Sequence, residues 1–261
     1  MKAKGMRRHL LAVIGACMVG APLAAPAQES ASALPYSVVS LVGDKISLVG
    51  YVSSTGSHID TNTLSELPLS DNELDRATLF AVEDALKKGK PGLRPSLLSV
   101  RDPAIYGAQQ DLAGPPEKQK AFISSLKAVL KERGKGRFII VTKQRGEARL
   151  QARDGHFGKG TLNGLGFYLD RATAMQSNET GLVTEGFLGP FAYVRVSLVD
   201  MDSLTVLKDS YGMASNVLVH ATVKGSVHPW DALDAGQKVE HLKQLIVQAV
   251  ERAMPPVLSQ I

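Results

Sequence analysis

The stretch from Phe191 to Val199 (FAYVRVSLV) constrains the fold more than any other. Ala192, Val194, Val196 and Leu198 fall on one face, and Tyr193, Arg195 and Ser197 on the other. A period of two predicts an extended strand, and its wholly apolar face has to be covered by a second layer. Asp200-Met201-Asp202-Ser203 is a turn signal, so Leu204 to Tyr211 is expected to return antiparallel. Asn216 to Val223 (NVLVHATV) is expected to add a third strand. The cover comes from a terminal helix. Asp234 can cap it, with Gln237 three residues on, and Val239, Leu242, Ile246, Ala249 and Ala253 recur at helical steps. Pro255-Pro256 is expected to end it.

Upstream, Tyr36 to Leu41 and Ile46 to Val52 predict two strands joined as a hairpin at Gly43-Asp44-Lys45. Residues 53–69 are polar and predict a loop. Ser70 and Glu73 fit a capping box, and Leu74, Thr78, Leu79, Val82, Ala85 and Leu86 share one helical face. Ser96 to Val100 predicts a short buried strand. Pro116 suits a helix first turn, and Phe122, Ile123, Leu126, Val129 and Leu130 form the stripe of a helix lying on a sheet. Arg137 to Thr142 (RFIIVT) has four successive apolar residues, as a central strand buried on both faces would. Residues 144–190 are rich in glycine. Within them Glu147 to Arg153 and Leu165 to Asp170 predict strands, and Thr173 to Thr184 a mobile polar loop. The order predicts an α+β domain: a mixed, largely antiparallel sheet with helices packed mainly on one face, plus a glycine-rich excursion.

The first thirty residues have a different character. Lys2, Lys4, Arg7 and Arg8 precede an apolar run from Leu10 to Leu23, and Ala25-Pro26-Ala27 offers a small-x-small cleavage site. This is the composition of a secretory signal over residues 1–27, followed by a linker over 28–35 and one domain over 36–261 with an insertion at 144–190. Two variants stay open: a lipoprotein signal, in which Cys17 is lipidated, and twin-arginine export through Arg7-Arg8. Removing 1–27 takes away four basic residues and no acidic one, so the formal charge falls from +5 to +1. The remaining Lys and Arg are interspersed with Asp and Glu, which excludes a nucleic-acid partner on composition. Cys17 is the only cysteine, so a chain cut after Ala27 has no disulfide, cysteine nucleophile or thiolate metal site.

Tyr193, Val194, Val196, Leu198, Asp200, Ser203 and Val206 lie between a helix–strand unit and a closing helix. In this pattern the chain resembles the envelope α/β domains of TolB amino-terminal regions, curli-transport lipoproteins and lipoprotein activators of peptidoglycan synthases, over about residues 74–254. The resemblance implies a module that binds other envelope components. It carries over no catalytic residue.

Chemistry-bearing motifs are sparse. The histidines His58, His156, His220, His228 and His241 show no metal-ligand spacing, so neither a metal nor a cofactor is expected. Ser57, His58 and Asp60 are neighbours in the chain, but a triad is a matter of geometry. Gly155 to Thr161 (GHFGKGT) departs from the phosphate-loop pattern because Gly160 separates Lys159 from Thr161. His58, Asp60 and His156 are the ligand-site candidates, and Trp230 is read as a core residue stapling the last helix. These readings predict a non-enzymatic periplasmic binding or accessory module whose partner is an envelope protein or cell-wall component. Two alternatives remain: an envelope hydrolase with a site assembled from distant residues, and an outer-membrane lipoprotein held at the membrane through Cys17.

Overall fold

The computed structural model describes residues 36–53, 60–69, 71–153, 155–176, 181–219, 221–222, 225–226 and 228–261. The chain begins with β1 (Tyr36–Ser40), β2 (Lys45–Gly50), β3 (Thr63–Pro68), α1 (Glu73–Gly89) and β4 (Ser96–Leu98). Then come α2 (Pro103–Ala108), α3 (Pro116–Leu130) and β5 (Arg137–Lys143). The glycine-rich excursion holds four short strands, β6 (Arg145–Glu147), β7 (Leu150–Ala152), β8 (Gly155–Phe157) and β9 (Thr161–Asn163). The long strands β10 (Leu165–Gln176), β11 (Val183–Asp200) and β12 (Thr205–Ser215) follow. A small hairpin, β13 (Ala221–Thr222) and β14 (Gly225–Ser226), precedes α4 (Ala235–Leu258).

The 18-residue β11 is the axis of the sheet, because the chain places strands on both of its edges. Its first half pairs antiparallel with β10, from Val183↔Gln176 to Ala192↔Leu165. Its second half pairs antiparallel with β5, from Val194↔Lys143 to Asp200↔Arg137, and on its other edge with β12. Thus β5 and β10 lie end to end beside one strand. The excursion 144–164 leaves the sheet and returns at one point: the Gln144 N–H donates to the Tyr193 carbonyl, and the Tyr193 N–H to the Gly164 carbonyl.

The β1–β2 hairpin expected from Gly43-Asp44 does not form. β1 pairs parallel with β5, and β2 pairs parallel with β10, so the two strands continue in one direction across a break at residues 41–44. Every residue of β1 is buried, and that burial is satisfied by β5 and β4 on its two edges. The turn signal marks a break in a line rather than a reversal. The polar stretch 53–69 also contains β3, an edge strand paired antiparallel with β2. The expected loop at Thr173–Thr184 is partly strand, with Ala174↔Glu185, Met175↔Thr184 and Gln176↔Val183 in register. Of the strand expected at Asn216–Val223, the described residues show a bridge Leu188↔Leu218 and β13.

The fold is α+β, on a mixed eight-stranded sheet. The two longest helices, α1 with 17 residues and α4 with 24, cover one face. They pack Leu79, Val82, Leu86, Leu245, Ile246 and Ala249 onto Val38, Ile139, Val141, Val194, Val196 and Leu198. Each such buried aliphatic chain contributes about 1.5–3 kcal/mol. On the opposite face α2 and α3 cover one end, over Val39, Phe138, Ile140 and Val199. The excursion covers the other, closing Ala148, Leu150 and Leu162 over Tyr168, Phe187, Phe191 and Tyr193. α4 begins with the expected reciprocal cap: the Gln237 N–H donates to Asp234 Oδ1 at 2.8 Å, and the Asp234 N–H to Gln237 Oε1 at 2.9 Å. It does not stop at Pro255-Pro256 but runs on to Leu258. The last turn places Val257, wholly buried, in the same core as the rest of the helix.

Candidate functional site

The break between β1 and β2 opens a cleft of about 590 Å³. It lies beyond the carboxyl ends of the parallel strands β1 and β4, where α/β folds place their ligands. Gly43 and Asp44 from the break form one wall, and Asp71, Asn72 and Asp75 at the start of α1 another. Val100, Arg101, Pro103 and Tyr106 close it from the β4–α2 connection and α2.

Asp75 holds these walls together. It is 5% exposed. Its Oδ1 accepts from Ser40 Oγ at 2.6 Å and from the N–H groups of Val42 and Gly43 at 3.0 and 3.1 Å. Its Oδ2 lies 2.7 Å from the Tyr106 hydroxyl. Gly43 makes the approach possible, since a Cβ there would stand 2.6 Å from Asp75 Oδ2. Burial pushes the Asp75 carboxyl above the ordinary aspartate value, against the pull of the hydrogen bonds around it. Burial, then Asp75 itself, raises the Tyr106 phenol, which stays a donor at every physiological pH. Beneath the break, Lys143 is buried, and its ammonium donates to Asp44 and to the Lys45 carbonyl. Burial lowers its pKa, and Asp44 opposes that shift.

Other groups in the cleft are uncommitted. Asn72 stands at the N-terminus of α1 without a side-chain capping bond. Arg101 is exposed, and its guanidinium has no hydrogen-bond or ion-pair partner among the described residues. Asp71 spends one oxygen on the Glu73 N–H. The expected capping box at Ser70 involves a residue outside those described. With Asp44 and Asp75 engaged within the fold, the groups left to a ligand are the Arg101 guanidinium, the Asp71 carboxylate and the Asn72 amide, against an apolar floor of Leu69, Val100 and Pro103.

None of the described candidates named from sequence lines this cleft. Cys17, His58 and His220 lie outside the described residues. Asp60 is a clip: its Oδ2 accepts from the Thr161 N–H at 2.8 Å and Thr161 Oγ1 at 3.0 Å, and its Oδ1 from the Asn62 N–H at 3.1 Å. With the Asn62 amide donating to the Lys159 carbonyl, it fastens the β2–β3 connection to the excursion. Burial raises the Asp60 pKa, but these three donors outweigh it, and the carboxyl ends below the ordinary range. Gly160, at φ +84°, gives the backbone room to reach Asp60. His156 is exposed on β8, opposite Gln151 in a short hairpin, and the structure does not bring it together with Asp60 through any hydrogen bond. Trp230, read as a core residue, is half-buried and packs edge-on to Phe167 at 5.5 Å against the α1–α4 core. His241 lies on α4 with its Nδ1 buried and without a hydrogen-bond partner among the described residues.

Sequence reasoning passed over Asp44, Asp75, Arg101, Tyr106 and Lys143. One signal was available. Asp75 stands in helical register with Leu79, Val82 and Leu86, and a carboxylate on an apolar stripe needs partners from elsewhere in the fold.

No protein-family model and no curated protein matches the chain. Among solved structures, a neuraminyllactose-binding hemagglutinin homolog from Helicobacter pylori aligns with 87% of this chain and 82% of its own, at 10% identity and a TM-score of 0.29.

Proposed function

We propose that the protein is exported, loses residues 1–27, and serves in the periplasm as a non-enzymatic binding module that takes a small polar envelope component into the cleft at the β1–β2 break. The export reading is supported by the basic, apolar and small-residue order of the leader. The binding reading rests on one observation: a cleft of about 590 Å³ whose Arg101 and Asn72 side chains have no hydrogen-bond partner among the described residues. That volume is in the range of small-molecule sites. A guanidinium and a carboxylate at its rim, over an apolar floor, suit a neutral or zwitterionic molecule such as a cell-wall peptide fragment.

Calorimetric titration of the mature chain with soluble cell-wall fragments tests this. Binding is expected, and Arg101→Ala should weaken it at least about tenfold, the worth of one charge-assisted hydrogen bond. Absence of binding, or equal binding by the variant, removes the cleft from consideration. Turnover of the fragments would establish the hydrolase reading instead. The mass of the native N-terminus decides the leader: a start at Gln28 supports the export reading, a lipidated Cys17 the lipoprotein alternative, and an intact Met1 neither.

A further inference from the structure

The hydrogen bonds around Asp75 do not balance if its carboxyl is ionised. The Tyr106 hydroxyl lies 2.7 Å from Asp75 Oδ2 and 3.1 Å from the Val100 carbonyl oxygen. A phenol carries a single proton. Donated to Oδ2, it leaves the Val100 carbonyl with no other donor among the described residues, in a residue only 4% exposed. Donated to Val100, it leaves two oxygens facing one another across 2.7 Å with nothing between them. Shared between the two acceptors, one proton makes two weakened bonds; two full bonds form together when Oδ2 brings a proton of its own.

We propose that Asp75 is protonated in the folded protein and closes a relay, Asp75 Oδ2–H to Tyr106 Oη and Tyr106 O–H to the Val100 carbonyl, that ties α1 to the β4–α2 connection across the back of the cleft. Oδ1 remains the acceptor for Ser40 Oγ and the Val42 and Gly43 N–H groups, so the same carboxyl also fixes the β1–β2 break. The surroundings agree. From the break, Asp44 faces this region with its charge engaged by Lys143 of β5. The β4–α2 connection contributes Arg101, α2 contributes Tyr106, the start of α1 contributes Asp71, and β1 contributes only a hydroxyl. None of them places a positive charge in hydrogen-bond contact with Asp75. The proton is therefore a structural part of the cleft wall, and its loss at rising pH loosens that wall. This holds whether or not the cleft takes a ligand.

The sign of the pH effect follows. The folded Asp75 pKa lies above its unfolded value, so its contribution is complete below the unfolded value and lost as pH rises through the folded one. The test is made at about pH 5, a unit above the ordinary aspartate pKa. There an infrared difference spectrum between wild type and Asp75→Asn should show a protonated-carboxyl band in the wild type alone. Asp75→Asn, which keeps the acceptor and the donor, should melt within about 2 °C of wild type, and Asp75→Ala roughly 5–10 °C lower. Absence of the band, or an Asn variant melting as low as the Ala variant, overturns the proposal. Should neither variant fold, carbon NMR of the wild-type aspartates decides. One carboxyl carbon still at its neutral shift at about pH 5 supports the relay, and none refutes it.

Discussion

Asp60 and Asp75 each fasten a connection to a neighbouring element by accepting backbone N–H and hydroxyl donors, and their carboxyls shift in opposite directions. Asp60 takes three donors at an exposed position between the β2–β3 connection and the excursion, and its pKa falls. Asp75 takes its donors in the interior, and its pKa rises. The donor sets are alike, so the donors alone do not decide the charge, and the Arg145 guanidinium adds only the smallest of the pulls on Asp60. What decides it is the water each carboxyl keeps. Donors outweigh the loss of hydration when that loss is small, and burial outweighs the hydrogen bonds around the carboxyl when it is nearly complete. The pattern gives the two regions different duties. The excursion clip is strongest when ionised, and the cleft wall when neutral.

The comparison is broken most directly at Gly43. A Cβ there would stand 2.6 Å from Asp75 Oδ2 and 2.9 Å from its backbone nitrogen, with no flexible tip to move aside. Gly43→Ala is expected to cost about 2–4 kcal/mol in denaturant melts; a cost near zero would mean the break has slack, and the tie would lose its importance. On the excursion side, Gly160→Ala puts a side chain at φ +84° and 2.4 Å from Asp60 Oδ1. A loss of about 1–2 kcal/mol is expected. Hydrogen exchange should locate it in β6–β9 while α4 stays protected, whereas uniform loosening would show that the excursion folds with the helical core.

Asp60→Asn is expected to cost about 0.5–1 kcal/mol at neutral pH, a small figure because water screens the clip. The folded Asp60 pKa lies below its unfolded value, so its contribution is present above the unfolded value and lost as pH falls through the folded one. The wild-type advantage should shrink on acidification below about pH 4, opposite in sense to the Asp75 effect. Parallel pH slopes for the two sites would end the contrast. His156→Ala completes the series with a change within about 0.5 kcal/mol, since its side chain is exposed; a larger effect would mean that its ring makes a contact that matters.

Much of the fold is readable one segment at a time. The alternation at Phe191–Val199, the turn at Asp200–Ser203 and the stripe from Phe122 to Leu126 encode β11, its return to β12, and α3. The Asp234–Gln237 pair encodes the start of α4. Where a partner is distant, the same method misreads. Gly43-Asp44 has the chemistry of a hairpin turn, and nothing within ten residues reveals that β1 pairs with β5, about a hundred residues on. His58, Asp60 and His156 stand out in the sequence by side-chain chemistry alone; of the two described, Asp60 is a clip and His156 an exposed strand residue.

The sequence by itself determined which segments extend, which coil, and which faces need cover, because periodicity and capping act between residues a few positions apart. Only the tertiary structure decided that β1 and β2 run in one line, that a cleft opens at their junction, and that Asp75 lies beneath it. Those outcomes depend on which distant donors surround a group and how much water it keeps, and neither quantity is defined until the chain has closed on itself.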